Sequence, residues 1–193
     1  GFAGNNVDGI YIWGSQAESN SVASSYIPTN GSTVQRAAET CNESGNSEVF
    51  NDSQGVLFAD ISALADGTNR RISISDGSTS DRIVLGYTAS PNQLIVLVSS
   101  NSVSGVASIV NINNSLQFNK IAIKYKTNDF SLFVNGFEVL TDNSLNSPIG
   151  LNDLSFEGAD NLNDFYGKTK EIAYYDEILT DAELETLTSY RSL

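Results

Sequence analysis

Short runs in which apolar and polar residues alternate, separated by turn residues at near-regular intervals, are the feature that most restricts this chain. Ile121, Ile123 and Tyr125 alternate with Ala122, Lys124 and Lys126, the pattern of a strand with one buried face. Arg71–Ser75 alternates in the same way, and Leu154–Phe156 and Ile172–Tyr175 supply shorter pieces. Phe130–Val134 runs into Asn135-Gly136 and returns through Phe137–Leu140. Asn-Gly between two such runs is a hairpin signal, because both turn residues must take positive φ. Asp81–Tyr87 and Gln93–Val98 carry apolar residues on both faces. Such strands suit the space between packed sheets or beneath a neighbouring chain, and Leu94–Val98 is a candidate subunit contact. Turn signals at Asp66-Gly67, Asp76-Gly77, Ser90-Pro-Asn92, Asn128-Asp129 and Asn146-Ser-Pro148 separate these segments. Many short strands spaced this way predict an all-β fold, an antiparallel jelly-roll sandwich.

One helix is expected near the C-terminus. Thr180 is a good N-cap, Asp181 and Glu183 suit the first turn, and Leu184 and Leu187 form an apolar stripe. Thr180 and Glu183 also have the spacing of a capping box. A short helical or 3₁₀ piece is expected around Ile61–Leu64. Ser, Thr and Asn make up close to a third of the 193 residues, a composition that means disorder or a turn-rich β fold. The alternation selects the second.

The first 45 residues read differently. Gly9–Gly14 resembles a strand, Ser25–Thr29 is extended without an evident partner, and the polar stretch Asn42–Asn46 marks a boundary. Residues 1–45 are therefore expected to be the end strand of a preceding module and a linker, and 46–193 one domain. Gly1 opens directly into foldable sequence without an initiator methionine, so a fragment or processed product is expected. The apolar runs are too short to span a bilayer as helices.

Charge and missing residue types remove several function classes. Lys and Arg number 10 against 23 Asp and Glu, a formal charge of -13, which disfavours nucleic acid and anionic membrane as partners. With no histidine there is no Ser-His-Asp triad and no imidazole ligand. The one cysteine, Cys41, forms neither an internal disulfide nor a cysteine-rich zinc site. The Asn-x-Ser/Thr sequons at Asn30, Asn42, Asn51 and Asn113 are expected by chance in so Asn- and Ser-rich a chain.

Two stretches resemble known families. Tyr11-Ile-Trp-Gly-Ser-Gln-Ala-Glu18 followed by Ser25–Ala38 resembles a segment recurrent in bacteriophage virion proteins, where it closes one β-sandwich and joins it to the next module. Ala17 stands where that segment commonly has a larger aliphatic residue. Phe130–Gly136, then Phe165–Asp176, then Leu179–Leu184 resembles the laminin-G-like, concanavalin-A-like lectin and glucanase fold, over roughly residues 47–190. The resemblance implies a jelly-roll sandwich that often binds carbohydrate and sometimes calcium. With the linker, it implies a non-enzymatic virion surface protein (appendage, fibre or capsid decoration) that binds a host-surface glycan. Its partners would be other virion subunits and further copies of itself, trimers included. The alternatives are an accessory or catalytic domain of a polysaccharide-degrading enzyme, and a purely structural virion domain.

Catalysis is disfavoured by the residues themselves. Concanavalin-like glucanases place carboxylates on one strand face with a Glu-x-Asp-x-x-Glu run, and none occurs here. The acidic residues Asp153, Glu157, Asp160 and Asp164 fall on a loop instead. Asp160, Asn161, Asn163 and Asp164 are the candidate calcium ligands, against the plainer reading of an Asx-rich turn. Sugar sites pair an aromatic platform with amide and carboxylate partners. The candidates are Tyr87, Phe165, Tyr166 and Tyr175 with Asn161 and Asn163. Tyr125, Phe156 and Tyr174 share parity with aliphatic neighbours and are assigned to the core. Phe133 and Tyr175 fall on the opposite parity, which makes them exposed, covered or interfacial.

Overall fold

The computed structural model describes residues 14–15, 26–34 and 44–190. The chain divides into two compact units, Gly1–Glu39 and Thr40–Leu193. Residues 26–34 of the first contain no strand or helix. Most of the strand expected at Gly9–Gly14, together with Trp13, Cys41 and Asn42, lies outside the described residues.

Ten strands of the second unit form two five-stranded antiparallel sheets. They are β1 (Gln54–Ala63), β2 (Arg70–Ser75), β3 (Arg82–Tyr87), β4 (Gln93–Ser100), β5 (Val103–Asn111), β6 (Asn119–Lys126), β7 (Phe130–Val134), β8 (Phe137–Asp142), β9 (Asp153–Ser155) and β10 (Gly167–Tyr175), followed by helix α1 (Asp181–Thr188). One sheet runs β10-β1-β6-β7-β8 and the other β5-β4-β3-β2-β9. The jelly-roll expectation therefore holds, and so do the strands read from alternation. The expected helical turn at Ile61–Leu64 does not form; Ile61–Ala63 are the last residues of β1. Its lack of alternation has a physical cause, since nine of the ten β1 residues are buried, on both faces of the sheet.

The inward faces make the main core. Leu57, Ala59 and Ile61 of β1 and Ile121, Ile123 and Tyr125 of β6 meet Ile72, Ile74, Ile83, Leu85, Leu94, Val96 and Val98 from the facing sheet. Three tyrosines place hydroxyls inside this layer. Tyr87 donates to Ile61 O at 2.9 Å across the sandwich, and Asn119 Nδ2 donates to Tyr87 Oη at 3.4 Å. The Tyr125 and Tyr174 hydroxyls lie 2.7 Å apart, and the Asn51 backbone bonds both. Burial raises all three phenols above the ordinary value of 10.0.

A second cluster sits on the outward face of the β1 sheet. Val56, Phe58, Ala122 and Phe133 are buried there beneath Leu184 of α1, with Tyr175 and Leu187 at the margin. Phe133 and Tyr175 are thus covered by the helix. Thr180 and Glu183 form the expected capping box, and that bonding lowers the Glu183 carboxyl below its ordinary value. Lys124 Nζ reaches Asp129 and Asp181 at 3.0 Å each, clipping the helix start to the sheet. Burial acts to lower Lys124, but its bonds to the two carboxylates outweigh it and raise the ammonium. At the hairpin, Asn135 and Gly136 have φ of 52° and 87°, and Gly136 N donates to Thr188 Oγ1 at 3.1 Å. A β-carbon on Gly136 would lie 2.6 Å from Ser189 Oγ, so only glycine lets the hairpin meet the helix end.

Truncating Leu184 to Ala is expected to lower stability by about 2–4 kcal/mol in denaturant titrations, because it opens a cavity over Phe58 and Phe133. The buried phenols set an alkaline limit. Their folded pKa values exceed the unfolded ones, so their contribution is full below pH 10.0 and declines as pH rises beyond it. Denaturation midpoints should therefore drop steeply above that pH, in step with the tyrosinate absorbance.

Candidate functional site

The outward face of the β2 sheet is polar where β2, β3 and β9 adjoin. Alternation along β2 turns Arg71, Ser73 and Ser75 outward and Ile72 and Ile74 into the core. Register then places Ser75 beside both Arg82 of β3 and Asp153 of β9, and Ser73 beside Ser155. Ser73 and Ser75 are 0% exposed although they face away from the core. The loop joining β9 to β10 is fastened against this face.

That loop is held by its own polar groups. Glu157 accepts from Ala159 N at 2.9 Å and Asp160 N at 3.1 Å, and Asp160 Oδ1 accepts from Leu162 N at 3.0 Å. Ala159, Asn161 and Asn163 all take positive φ, near 60°, a conformation that Asn tolerates better than Ala. Two arginines fasten the loop to the sheet. Arg82 donates to Gly158 O at 2.5 Å, and Arg71 donates through its backbone to Asn163 O at 2.8 Å. The Arg71 guanidinium faces Asp160 at 3.5 Å. Gly158 packs closely here, since a β-carbon would lie 2.8 Å from Asp160 Oδ1 and 3.0 Å from Arg71 Cδ and would push those side chains aside. Burial pulls the Arg82 guanidinium down, Asp160 and Glu157 counter it, and Arg71 adds repulsion.

Four buried polar atoms on this face have no hydrogen-bond partner among the described residues: Arg71 Nε, Arg82 Nε, Ser73 Oγ and Asp153 Oδ1. Each such atom is worth about 1–3 kcal/mol of lost solvation, so a cluster of four marks a surface organised for polar contacts. At its edge lies a polar cavity of about 360 Å³, lined by Ser75, Asp153, Ser155, Glu157 and Asn161, with Gly45 and Gly77 at the rim. A larger groove of about 970 Å³ runs along α1 past Leu179, Leu187 and Tyr190. It is mainly apolar and has no unpartnered buried polar atom in its lining, so the smaller cavity is the better site for a polyhydroxylated ligand.

The residues selected from the sequence do not assemble as one site. Tyr87 is 1% exposed, its hydroxyl bonded across the sandwich, so it is a core residue and not a sugar platform. Phe165 packs on the core edge-on to Phe156, ring centres 6.0 Å apart, and is likewise corrected to packing. Tyr175 lies under α1 on the outward face of the other sheet. Tyr166 is 49% exposed, and Asn163 contributes its carbonyl to Arg71. Asn161 alone of the set lines the cavity. Of the proposed calcium ligands, Asp160 is turned to Arg71 and Leu162 N, and Asp164 is exposed. Among the described residues no group of three or more Cys, Asp and Glu side chains is placed to hold a metal ion. Arg71, Ser73, Ser75, Arg82 and Ser155 are not among the sequence candidates, and Asp153, expected on a loop with the other acidic residues, instead opens strand β9. Their signal was two of only ten basic residues standing at strand positions of polar parity.

Removing the Glu157 side chain by Glu157→Ala should free the Ala159 and Asp160 amides. Hydrogen exchange across 158–163 is expected to accelerate, with a stability loss of about 1–3 kcal/mol.

No family model matches this sequence, and no curated protein matches it. Solved structures do resemble the fold. The carbohydrate-binding module CBM40 of the Ruminococcus gnavus IT-sialidase, bound to α2,3-sialyllactose, is 15% identical with TM-score 0.63, over 80% of this chain and 97% of that one. The leech intramolecular trans-sialidase is 15% identical with TM-score 0.60, over 79% of this chain and 27% of that enzyme. The heptameric SAP-like pentraxin of Limulus polyphemus is 13% identical with TM-score 0.58, over 77% and 74%. At such identities the likeness shows the fold, a concanavalin-like β-sandwich.

Proposed function

We propose that the Thr40–Leu193 unit is a non-catalytic glycan-binding module whose site is the polar cavity beside Arg71 and Arg82, and that it favours sugars carrying a carboxylate. The observation that carries this reading is two arginines on neighbouring strands, each with a buried Nε that has no partner among the described residues, held against the β9–β10 loop whose Glu157, Ala159 and Asn161 line the cavity with Ser75, Asp153 and Ser155. Sugar hydroxyls match Ser75, Ser155, Asn161 and Asp153, while a guanidinium recognises a carboxylate through paired N–H donors. The Arg71–Asp160 contact of 3.5 Å is longer than a good hydrogen bond, so an incoming carboxylate can take the place of Asp160. The sandwich shared with the sialyllactose-bound module supports the reading at the level of fold.

Glu157 argues for binding over hydrolysis, since both its oxygens accept backbone amides of its own loop. A virion-surface setting, with other virion subunits as partners, rests on the sequence resemblance at Tyr11–Glu18 and Ser25–Ala38. The described residues include no helix long and apolar enough to cross a membrane.

Calorimetry with sialyllactose and with lactose tests the site. Arg71→Ala is expected to weaken the acidic glycan about 10-fold or more, the worth of one charged hydrogen bond, with circular dichroism confirming that the sandwich still folds. Equal affinity for lactose, or an unchanged Arg71→Ala affinity, would overturn the assignment, and release of free sugar on incubation would overturn the non-catalytic reading.

A further inference from the structure

The sequence holds two Asn-Gly pairs, Asn30-Gly31 and Asn135-Gly136. Asn-Gly is the dipeptide most prone to deamidation, because no side chain on the glycine hinders attack of its backbone nitrogen on the asparagine carboxamide. The two pairs stand in opposite surroundings. Asn30 and Gly31 are exposed, and among the described residues nothing lies within 4 Å of the place a Gly31 β-carbon would take. Gly136 is buried and Asn135 half-buried. There both reacting groups are engaged. The nucleophile, Gly136 N, donates to Thr188 Oγ1 at 3.1 Å, and Thr188, 0% exposed, donates in turn to Leu184 O at 2.8 Å. The carboxamide is turned back to β6, where Oδ1 accepts from Lys120 N at 2.9 Å and Nδ2 donates to Asn119 Oδ1 at 2.9 Å. Lys120 Nζ donates to Ser189 O at 3.2 Å and lies over the Tyr190 ring, whose hydroxyl donates to Phe118 O. The last turn of α1 and the two residues after it are thus fastened over the hairpin turn.

We infer that Asn135-Gly136 is a latent self-modification site, kept intact by the docked end of α1, at which release of the helix end is recorded as an irreversible deamidation. Once the contacts open, Gly136 N gives its proton to hydroxide and bonds to Asn135 Cγ. The Cγ–Nδ2 bond breaks, and Nδ2 takes a proton from water and leaves as ammonia. Water then opens the succinimide at either carbonyl, giving aspartate, or isoaspartate with the chain rerouted through Cγ; nothing is oxidised or reduced. Three hydrogen bonds to the reacting groups must break first. Each is worth about 5-fold in the open population, so folding should protect Asn135 about 100-fold. Asn119 bars the return. Its Nδ2 already donates to Asn114 O at 2.9 Å and Gln117 O at 2.8 Å, and reaches Tyr87 Oη at 3.4 Å, so its Oδ1 stays toward Asn135. A carboxylate in place of the amide sets acceptor against acceptor. Nothing in this chemistry involves the glycan site.

Peptide mass spectrometry on the whole chain, incubated in mildly alkaline buffer, follows both pairs at once. In the folded protein Asn30 is expected to convert about 100-fold faster than Asn135, and in urea the two rates should converge. Thr188→Val keeps the side-chain shape but removes the acceptor of Gly136 N. It should speed Asn135 about 5- to 10-fold and leave Asn30 unchanged. Lys120→Met, which frees Ser189 and Tyr190 but keeps the backbone bonds to Asn135, is the second variant if Thr188→Val fails to fold. Equal rates at the two pairs in the folded protein, a difference that persists in urea, or variants that leave Asn135 unchanged would overturn the lock. Asn135→Asp, which carries the product carboxylate, should melt at a lower temperature and exchange amide hydrogens faster at Thr188–Tyr190. Melting and exchange like those of the unsubstituted protein would overturn the irreversibility.

Discussion

β1 is the strand on which the rest of the second unit depends. It pairs with β10 on one side and β6 on the other, so its hydrogen-bonding groups are engaged along both edges. Its inward residues Leu57, Ala59 and Ile61 form the floor of the main core, and Val56 and Phe58 on the other face anchor the helix cluster. The Ile61 carbonyl accepts the Tyr87 hydroxyl from the opposite sheet. One extended segment thus organises both cores and one link between the sheets. Burial of this much apolar surface, at roughly 25 cal/mol per Å², supplies the driving force that holds ten short strands in place.

The polar site can exist because that core is fixed independently of it. Arg71, Ser73 and Ser75 alternate with residues locked in the core, so their outward direction follows from backbone geometry alone. The β9–β10 loop is then fastened to this face by Arg82 and Arg71 and braced internally by Glu157. Charged groups held this way are half-desolvated, which strengthens a contact made with them and penalises one left unmade. An acidic ligand therefore competes with an internal carboxylate rather than with bulk water alone.

Much of the architecture was legible in the sequence. The alternation at Arg71–Ser75 and Ile121–Lys126, the Asn135-Gly136 hairpin and the Thr180–Glu183 capping box all form as their local chemistry dictates. β1 is not legible because a strand buried on both faces has no polar period, and its end reads as a helical turn by local pattern alone. The site was less visible still. Tyr87 and Phe165 looked suited to sugar stacking by residue type, but parity and packing send them inward. Arg71 and Arg82 gain their role from cross-strand register and from a loop some 76 residues away in the chain, neither of which local pattern encodes.

The pairing of β1 with β10 has a consequence for biosynthesis. The Asn51 amide and its Tyr174 hydroxyl acceptor are separated by 123 residues, and the two strands they border are direct neighbours in the sheet. Loop-closure entropy for such a contact must be overcome before it stabilises anything, so the fold belongs to the slow, high-contact-order class. While the ribosome is still synthesising the second half, β1 has emerged with one edge unfilled and apolar residues on both faces. The β6–β7–β8 meander can dock on it early, but the sheet closes only when residues 167–175 leave the exit tunnel. Truncation inside β10 would therefore act on the yield of soluble chain at synthesis, well before it acted on the stability of the finished molecule.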